Sequence, residues 1–308
     1  MAFSASEAAF EGFHIVRREP KSVAIWGLLL MVFSAAATIA MLPFMRSATT
    51  GFGLTPGSPP TTAAMGSFLS LMGAIYLIGI PIYLVLMSVF TAAVYRAVLR
   101  PEDKGLARLK LGGDELRLVG LFVLQFLTYL ALWLAVVVVA AIVGAIAATA
   151  LRGAGAGAVI VLLIVYLLVL LAFAFVAVRL SFAAPMTFAR RKIHFFSAWR
   201  LTEGRFWPLL GCYLLALVFA ILIGMVDLAV SGVLAFGMSG GDFTRAAHGL
   251  LQPDLSSAAG LFTPMYIARL LVGAVFGVVI WTVMIAEPAA AYREIAGPRP
   301  QDQAEAFT

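Results

Sequence analysis

Charged side chains inside long apolar runs are the residues of this sequence best placed to do chemistry. Asp227 and Arg269 lie near facing ends of two successive apolar runs. Burying a charge in hydrocarbon is costly, so such residues mark ion pathways, substrate sites or interhelical pairs. At about 1.5 Å per helical residue, the two side chains fall at similar depth. We therefore predict an Asp227–Arg269 intramembrane pair, acting either as a clasp between helices or as a gate or substrate site.

Glu287 is a second candidate, an intramembrane carboxylate that immediately precedes Pro288. One interpretation is an ion pair with an arginine near the same membrane surface. The other is a proton-linked carboxylate that faces a cavity. The arginines expected within reach are Arg96, Arg179, Arg205 and Arg293.

Motifs for metal binding and catalysis are missing from the sequence. The three histidines, His14, His194 and His248, have no ligand spacing. Cys212 is the single cysteine, which excludes an internal disulfide and a cysteine metal cluster. The sequence also lacks a GxSxG elbow and a Walker loop. We therefore expect a non-enzymatic protein with no cofactor and no metal.

The composition indicates whether water or lipid surrounds the folded chain. Hydrophobic residues make up 63% of the sequence and charged residues only 12%, whereas a soluble domain has about 25% charged residues. Six runs reach the roughly 20 apolar residues that cross a bilayer. These observations predict an all-α polytopic membrane protein whose six transmembrane helices span residues 22–44, 66–94, 118–148, 156–178, 207–234 and 266–289.

Three regions follow from this pattern. Residues 1–21 are expected to form an amphipathic interfacial helix, residues 22–290 the six-helix membrane domain, and residues 291–308 a short disordered tail. Pro81 is expected to kink the second span.

The basic residues orient the spans. Of 21 Lys and Arg residues, 17 lie in the two terminal segments and the second and fourth connections, whereas the first, third and fifth connections hold three. Basic residues concentrate on the cytoplasmic side of membrane proteins. We therefore predict cytoplasmic termini and a bacterial inner-membrane location, and we interpret the net charge of +6 as a membrane feature that involves no nucleic acid.

The fourth connection, "FARRKIHFFSAWRLTEGRFW" at 188–207, combines basic residues with aromatic ones. At 100° per residue, Phe188, Phe195 and Trp199 share one helix face. Such a helix lies in the interface plane, with its rings in the acyl boundary and its charges among anionic head groups. The predicted interface residues are Arg190, Arg191, Lys192, Phe195, Trp199, Arg200 and Trp207.

The N-terminal segment has a weaker form of the same pattern. Ala9, Phe10, Phe13 and Val16 share one helix face, and Phe10 and Phe13 are its predicted membrane contacts. The alternative for both segments is that the helices pack against the protein's own membrane domain.

An internal repeat is suggested by the ends of the even-numbered spans. "AAVYRAVLRP" at 92–101 resembles "AAAYREIAGP" at 289–298, and span four ends in "VAVRLSFAAP" at 176–185. An amphipathic lead followed by an outward and an inward span, present three times, would give parallel two-helix repeats. The alternative is that spans entering the cytoplasm commonly end in Tyr or Arg.

The segment around the fourth connection resembles a known family. Arg179-Leu180-Ser181, the run from Ser197 to Gly204, and Trp207 are similar to the glycerophosphodiester phosphodiesterase membrane domain and to related bacterial six-span proteins of unknown function. The resemblance is strongest over about 40 residues and implies a six-span fold. The family's membrane part has no established catalytic residues, so the resemblance implies none here.

Two functions remain from the sequence. The first is a membrane module that organises or senses lipid, or holds partners, through its basic-aromatic cytoplasmic segments, with anionic lipids as the expected partners. The alternative is a transporter of a small or lipid-like molecule, which would need a polar cavity at Asp227 or Glu287. Gly273 and Gly277 form a GxxxG pattern, which allows either internal packing or a homo-oligomer.

Overall fold

A computed structural model describes residues 5–51, 62–103, 105–150, 155–251, 260 and 262–296. Across these ranges all regular structure is helical. The α-helices are α1 (Ala5–Arg18), α2 (Pro20–Gly51), α3 (Thr62–Ala74), α4 (Ile80–Leu99), α5 (Gly113–Ala150), α6 (Gly155–Leu180), α7 (Ala183–Arg190), α8 (Phe195–Leu201), α9 (Phe206–Met238), α10 (Phe243–Leu251) and α11 (Pro264–Ala296). Six helical segments of this described part are long and apolar enough to cross a membrane, and each overlaps one predicted span.

The helices extend past the predicted spans. α11 continues to Ala296, so Tyr292 and Arg293 belong to a helix rather than to the predicted tail from residue 291. The Ala, Arg and Glu residues of this stretch are good helix formers, which lets the backbone pattern continue after the apolar run stops. The rest of that predicted tail, residues 297–308, lies outside the described residues.

The distortion predicted at Pro81 takes the form of a π-helical turn. Residues Ile75–Gly79 join α3 to α4, and the N–H of Ile80 bonds the carbonyl oxygen of Ile75. Proline lacks a donor and clashes with the carbonyl four residues earlier. Widening the turn before Pro81 relieves that clash, a common cause of a bulge in a membrane helix.

The described residues form two compact units. The two names that follow refer to position in the sequence. The central unit contains the described residues of 111–211 with residue 5 and residues 291–296, and the flanking unit contains the described residues of 6–110 and 212–290.

In the central unit, α5 packs against α6 and α7, and α8 packs against α6 and α7. The rings of Tyr129 on α5 and Phe173 on α6 stack with centroids 6.1 Å apart. The short helices α7 and α8 are therefore supported by the span-length helices α5 and α6.

In the flanking unit, α1 packs against α11 through a glycine contact. A Cβ added to Gly12 would lie 2.4 Å from Val283 Cα. Ala8, Ala9 and Ile15, which share this face of α1, are buried. Without a Cβ at position 12, the two backbones approach closely.

Candidate functional sites

Asp227 and Arg269 form the predicted pair. Arg269 Nη1 on α11 lies 3.2 Å from each carboxylate oxygen of Asp227 on α9 and 3.1 Å from Ser231 Oγ. Asp227 and Ser231 are four residues apart on α9 and so share a helix face. One guanidinium therefore joins two helices and compensates the carboxylate charge in an apolar setting.

The GxxxG pattern does not hold helices together within the described residues. Gly273 and Gly277 line an open groove of about 340 Å³ between α2 and α11. Apart from the neighbouring backbone of α11, no atom of the described residues lies within 4 Å of a Cβ built on Gly277. The close approach of α2 and α11 occurs instead at Gly27, where an added Cβ would lie 3.3 Å from Val278 Cγ1.

Glu287 is buried, with 1% of its surface exposed, and it has no arginine partner among the described residues of its own, flanking unit. Its Oε1 atom accepts no hydrogen bond there, while the Cys212 thiol lies within hydrogen-bonding reach of the carboxyl group. The expected partner Arg96 instead donates to the carbonyl of Arg108 at 2.9 Å and lies 3.6 Å from Asp103. Arg96 therefore does not pair with Glu287, whereas Arg179, Arg205 and Arg293 belong to the central unit and their pairing with Glu287 stays a prediction.

Arg108, which is buried, and Glu19, which is partly exposed, form an ion pair that the sequence did not predict. Arg108 Nε lies 3.0 and 2.9 Å from the two carboxylate oxygens of Glu19, and its Nη2 lies 2.6 Å from Oε1. Only 7% of the Arg108 side chain is exposed. This pair ties the α1–α2 junction to the connection after α4.

The described part of that connection forms a cap held by hydrogen bonds. Ala107 and Arg108 both have left-handed backbone conformations, which L-residues adopt only when their surroundings hold them. Trp26 holds this turn by donating from Nε1 to the carbonyl of Ala107 at 2.8 Å. A hydrogen bond from Lys110 and nearby positive charges keep the pKa of Asp103 below its usual value.

The basic-aromatic connection at 188–207 is two helices rather than one. A left-handed residue, Arg191, ends α7, and the N–H of His194 bonds Thr187 Oγ1 at 3.1 Å before α8 begins. Phe188 and Phe195 are 1% and 8% exposed. The prediction that Phe195 contacts the membrane is therefore wrong, because this break turns Phe188 and Phe195 toward the interior of the protein.

Other apolar side chains on this connection face outward. Ile193, Phe196 and Trp207 are 52%, 79% and 77% exposed, and Trp199 is 38% exposed. Five cations of this connection are exposed as well: the four predicted ones, Arg190, Arg191, Lys192 and Arg200, and in addition Arg205. Sequence reasoning missed Ile193 and Phe196 because it assumed one uninterrupted helix.

Arg179 supports this surface from α6. Its guanidinium carbon lies 5.3 Å from the ring centroid of Phe175 and 5.5 Å from that of Trp199. The Thr202 hydroxyl donates to the Arg179 carbonyl at 3.3 Å. These cation–π contacts fix Trp199 at the edge of the exposed surface. Partial burial and the positive charges of Arg190 and Lys192 lower the pKa of His194.

The two N-terminal phenylalanines pack against α9. Phe10 and Phe13 lie 4.9 and 5.4 Å from Phe219 on α9, measured between ring centroids. Phe10 is nonetheless 42% exposed. The alternative in which α1 packs on the protein's own helices is the arrangement observed.

No group of three His, Cys, Asp or Glu side chains in the described ranges could hold a metal ion. Comparison of the chain with protein-family models, curated proteins and solved structures finds no match. The resemblance to the glycerophosphodiester phosphodiesterase membrane domain stays a prediction.

Proposed function

We propose that this protein is a non-enzymatic integral membrane protein that binds anionic lipid through an exposed surface formed by α7, α8 and the start of α9. In this proposal the basic ends of the spans face the cytoplasm, both termini are cytoplasmic, and the membrane is the bacterial inner membrane. Bound lipid is organised or sensed at that surface.

One observation carries the proposal. The three most exposed apolar side chains of the connection, Ile193, Phe196 and Trp207, are interleaved with the five exposed cations described above. Exposed apolar groups favour the acyl boundary, while neighbouring cations favour anionic head groups. Glu203 is the exposed carboxylate within this stretch, so the local charge is strongly positive.

The orientation is supported by the distribution of basic residues along the sequence.

The internal repeat is supported by the similar ends of α4 and α11, where Tyr95 and Tyr292 are both nearly buried before an arginine. A repeat of parallel helix pairs would explain why basic segments precede the odd-numbered spans.

Transport is the second candidate, and Glu287 is the observation that favours it. This buried carboxylate has no arginine partner in the described part of the flanking unit, and an unpaired carboxylate inside a membrane is energetically costly and commonly functional. However, the α2–α11 groove and the pocket at the start of α2 are lined by neither Glu287 nor Asp227. Lipid binding is therefore the better-supported function.

The test uses the full chain reconstituted in bilayers of phosphatidylglycerol and phosphatidylcholine. Spin-labelled lipids measure which headgroup is enriched at the protein. We expect enrichment of phosphatidylglycerol that falls with salt and in the Arg190→Gln/Arg191→Gln/Lys192→Gln variant, because each basic residue near the surface attracts anionic lipid.

Two matched controls accompany this test. Phe196→Ser should reduce enrichment, whereas Phe262→Ser, at a position 71% exposed, should not. Arg245→Gln removes an exposed cation from another connection and should have little effect. Equal lipid selectivity in the wild type and the triple variant would refute the proposal.

A further inference from the structure

A polar pocket lies in the flanking unit where α1 meets α2. Its volume is about 490 Å³, and its lining includes Arg18, Glu19, Lys21, Ser22 and Arg108. Pro20 is the apolar side chain in this lining. Such a lining suits a polar ligand rather than an acyl chain.

The floor of the pocket is fixed in place. All three guanidinium nitrogens of Arg108 are engaged, by Glu19 and by the backbone carbonyls of Arg96, Arg100, Pro101 and Asp103. Arg108 therefore keeps no donor for a ligand, and Glu19 neutralises its charge. It acts as a rigid support for the rest of the pocket.

The remaining positive charge belongs to Arg18 and Lys21. Both side chains are exposed, and neither has an ion-pair or hydrogen-bond partner among the described residues. With Arg108 and Glu19 cancelling, the described lining of the pocket carries two uncompensated cations, and Ser22 lies beside them. Arginine and lysine together suit a phosphate group, the former as a planar fork and the latter as a point charge.

The position of the pocket along the membrane normal indicates the class of ligand. Pro20 is the first residue of a segment able to span a membrane, so the pocket lies at the level of the lipid head groups. We infer that this pocket binds the phosphate of an anionic phospholipid head group, with Arg18 and Lys21 as its charge partners. The inference rests on the proposed function only in requiring a bilayer that contains anionic lipid.

The test places a reporter inside the pocket of the full-length protein. Ser22→Cys introduces a reactive thiol, and the native Cys212 is fully buried. The labelling rate with a neutral maleimide is measured in nanodiscs of phosphatidylglycerol and of phosphatidylcholine. Bound head group should slow labelling in phosphatidylglycerol, whereas Glu102→Cys, an exposed site, corrects for the general effect of a charged surface.

Adding Arg18→Gln/Lys21→Gln to Ser22→Cys should abolish the protection, because losing two basic contacts weakens affinity for anionic lipid by about 30-fold. Protection that survives this double substitution, or equal corrected rates in the two lipids, would overturn the inference. Inorganic phosphate added to phosphatidylcholine nanodiscs distinguishes the two sources of phosphate. Protection there would assign the pocket to a soluble phosphate instead of a lipid.

A second variant separates this site from the α7–α8 surface. Arg200→Gln/Arg205→Gln lies on the central unit and should leave protection of Ser22→Cys unchanged. Loss of protection in that variant would show that lipid near the pocket depends on the other surface, which would contradict an independent site. Failure of the proposed function would appear in the spin-label experiment, with Ser22→Cys protection intact.

Discussion

Arg108 and Glu19 are 89 residues apart in the sequence and form a bidentate ion pair, with Nη2 2.6 Å from Oε1. The arginine belongs to the second basic connection and the glutamate to the junction of the first two helices. A basic residue counted as a topological signal is therefore also a structural part of the flanking unit. Its charge is compensated inside the protein and contributes little to lipid attraction.

The first prediction concerns this pair. Arg108→Ala should destabilise the protein by about 3 kcal/mol, because it removes a buried charge partner and leaves backbone carbonyls without their donor. Thermal unfolding in detergent measures the effect. Arg245→Ala, whose side chain is 75% exposed, should change stability by less than about 0.5 kcal/mol. Equal effects of the two substitutions would mean that the Arg108 contacts do not stabilise the fold.

The location of the spans follows from the sequence, because hydropathy and length are local properties of the chain. The approximate meeting of Asp227 with Arg269 follows as well, since two charges at equal depth on consecutive spans have few other partners. Both depend on distance along a helix, which the sequence gives directly.

The Arg108–Glu19 pair could not be predicted in the same way. It depends on a left-handed turn at Ala107 and Arg108, and neither residue type favours that conformation. The break at Arg191 has the same character. The four residues Arg191–His194 separate α7 from α8, so the two helices do not share one helical wheel, and Phe195 is buried while Phe196 is exposed. A helical-wheel argument fails wherever such a residue interrupts the helix.

The second prediction concerns the contact between α1 and α11. Gly12→Ala should weaken docking of α1 by about 2 kcal/mol, because its Cβ would lie 2.4 Å from the Val283 backbone. Limited proteolysis and hydrogen exchange of α1 report the loss. Gly224→Ala, where no atom lies within 4 Å of the new Cβ, should be neutral or slightly stabilising. Unchanged exchange in Gly12→Ala would contradict this packing.

The third prediction concerns the interhelical clasp. In a double-mutant cycle, Asp227→Asn and Arg269→Gln should show a coupling energy of about 1 kcal/mol, the magnitude measured for polar contacts between membrane helices. Each single variant leaves one charge without its partner and should be less stable than the wild type. The double variant should recover part of the loss in thermal unfolding. Additive effects would mean that the two side chains act independently.

The fourth prediction concerns pH and the α7–α8 connection. The folded-state pKa of His194 is lowered by partial burial and by Arg190 and Lys192. The unfolded chain therefore binds the proton more readily, so stability is present at neutral pH and is lost as the pH falls below the unfolded value of about 6.5. The protection factors of the α8 amides, which correct for the fall of the intrinsic exchange rate with pH, should therefore decrease between pH 7 and 5.

His194→Gln should remove this decrease in protection, while His14→Gln, a substitution on α1, should retain it. A pH response that is identical in His194→Gln and the wild type would assign the effect to other groups. The response has a direct consequence for the proposed surface, because protonated His194 would add charge while loosening the turn that positions Phe196.

The fifth prediction concerns the orientation on which the lipid proposal depends. Single cysteines are introduced at Phe196 and Glu102, which are exposed in the basic connections, and at Phe243, which is 77% exposed in the connection between α9 and α11. In intact cells, a membrane-impermeant thiol reagent should label Phe243→Cys but neither of the other two. After the cells are permeabilised, all three should react. This pattern is expected because 17 of the 21 basic residues lie in segments assigned to the cytoplasm, and such a bias sets topology. Labelling of Phe196→Cys in intact cells would place the α7–α8 surface outside the cell, where the negative surface potential of the cytoplasmic leaflet cannot act on it.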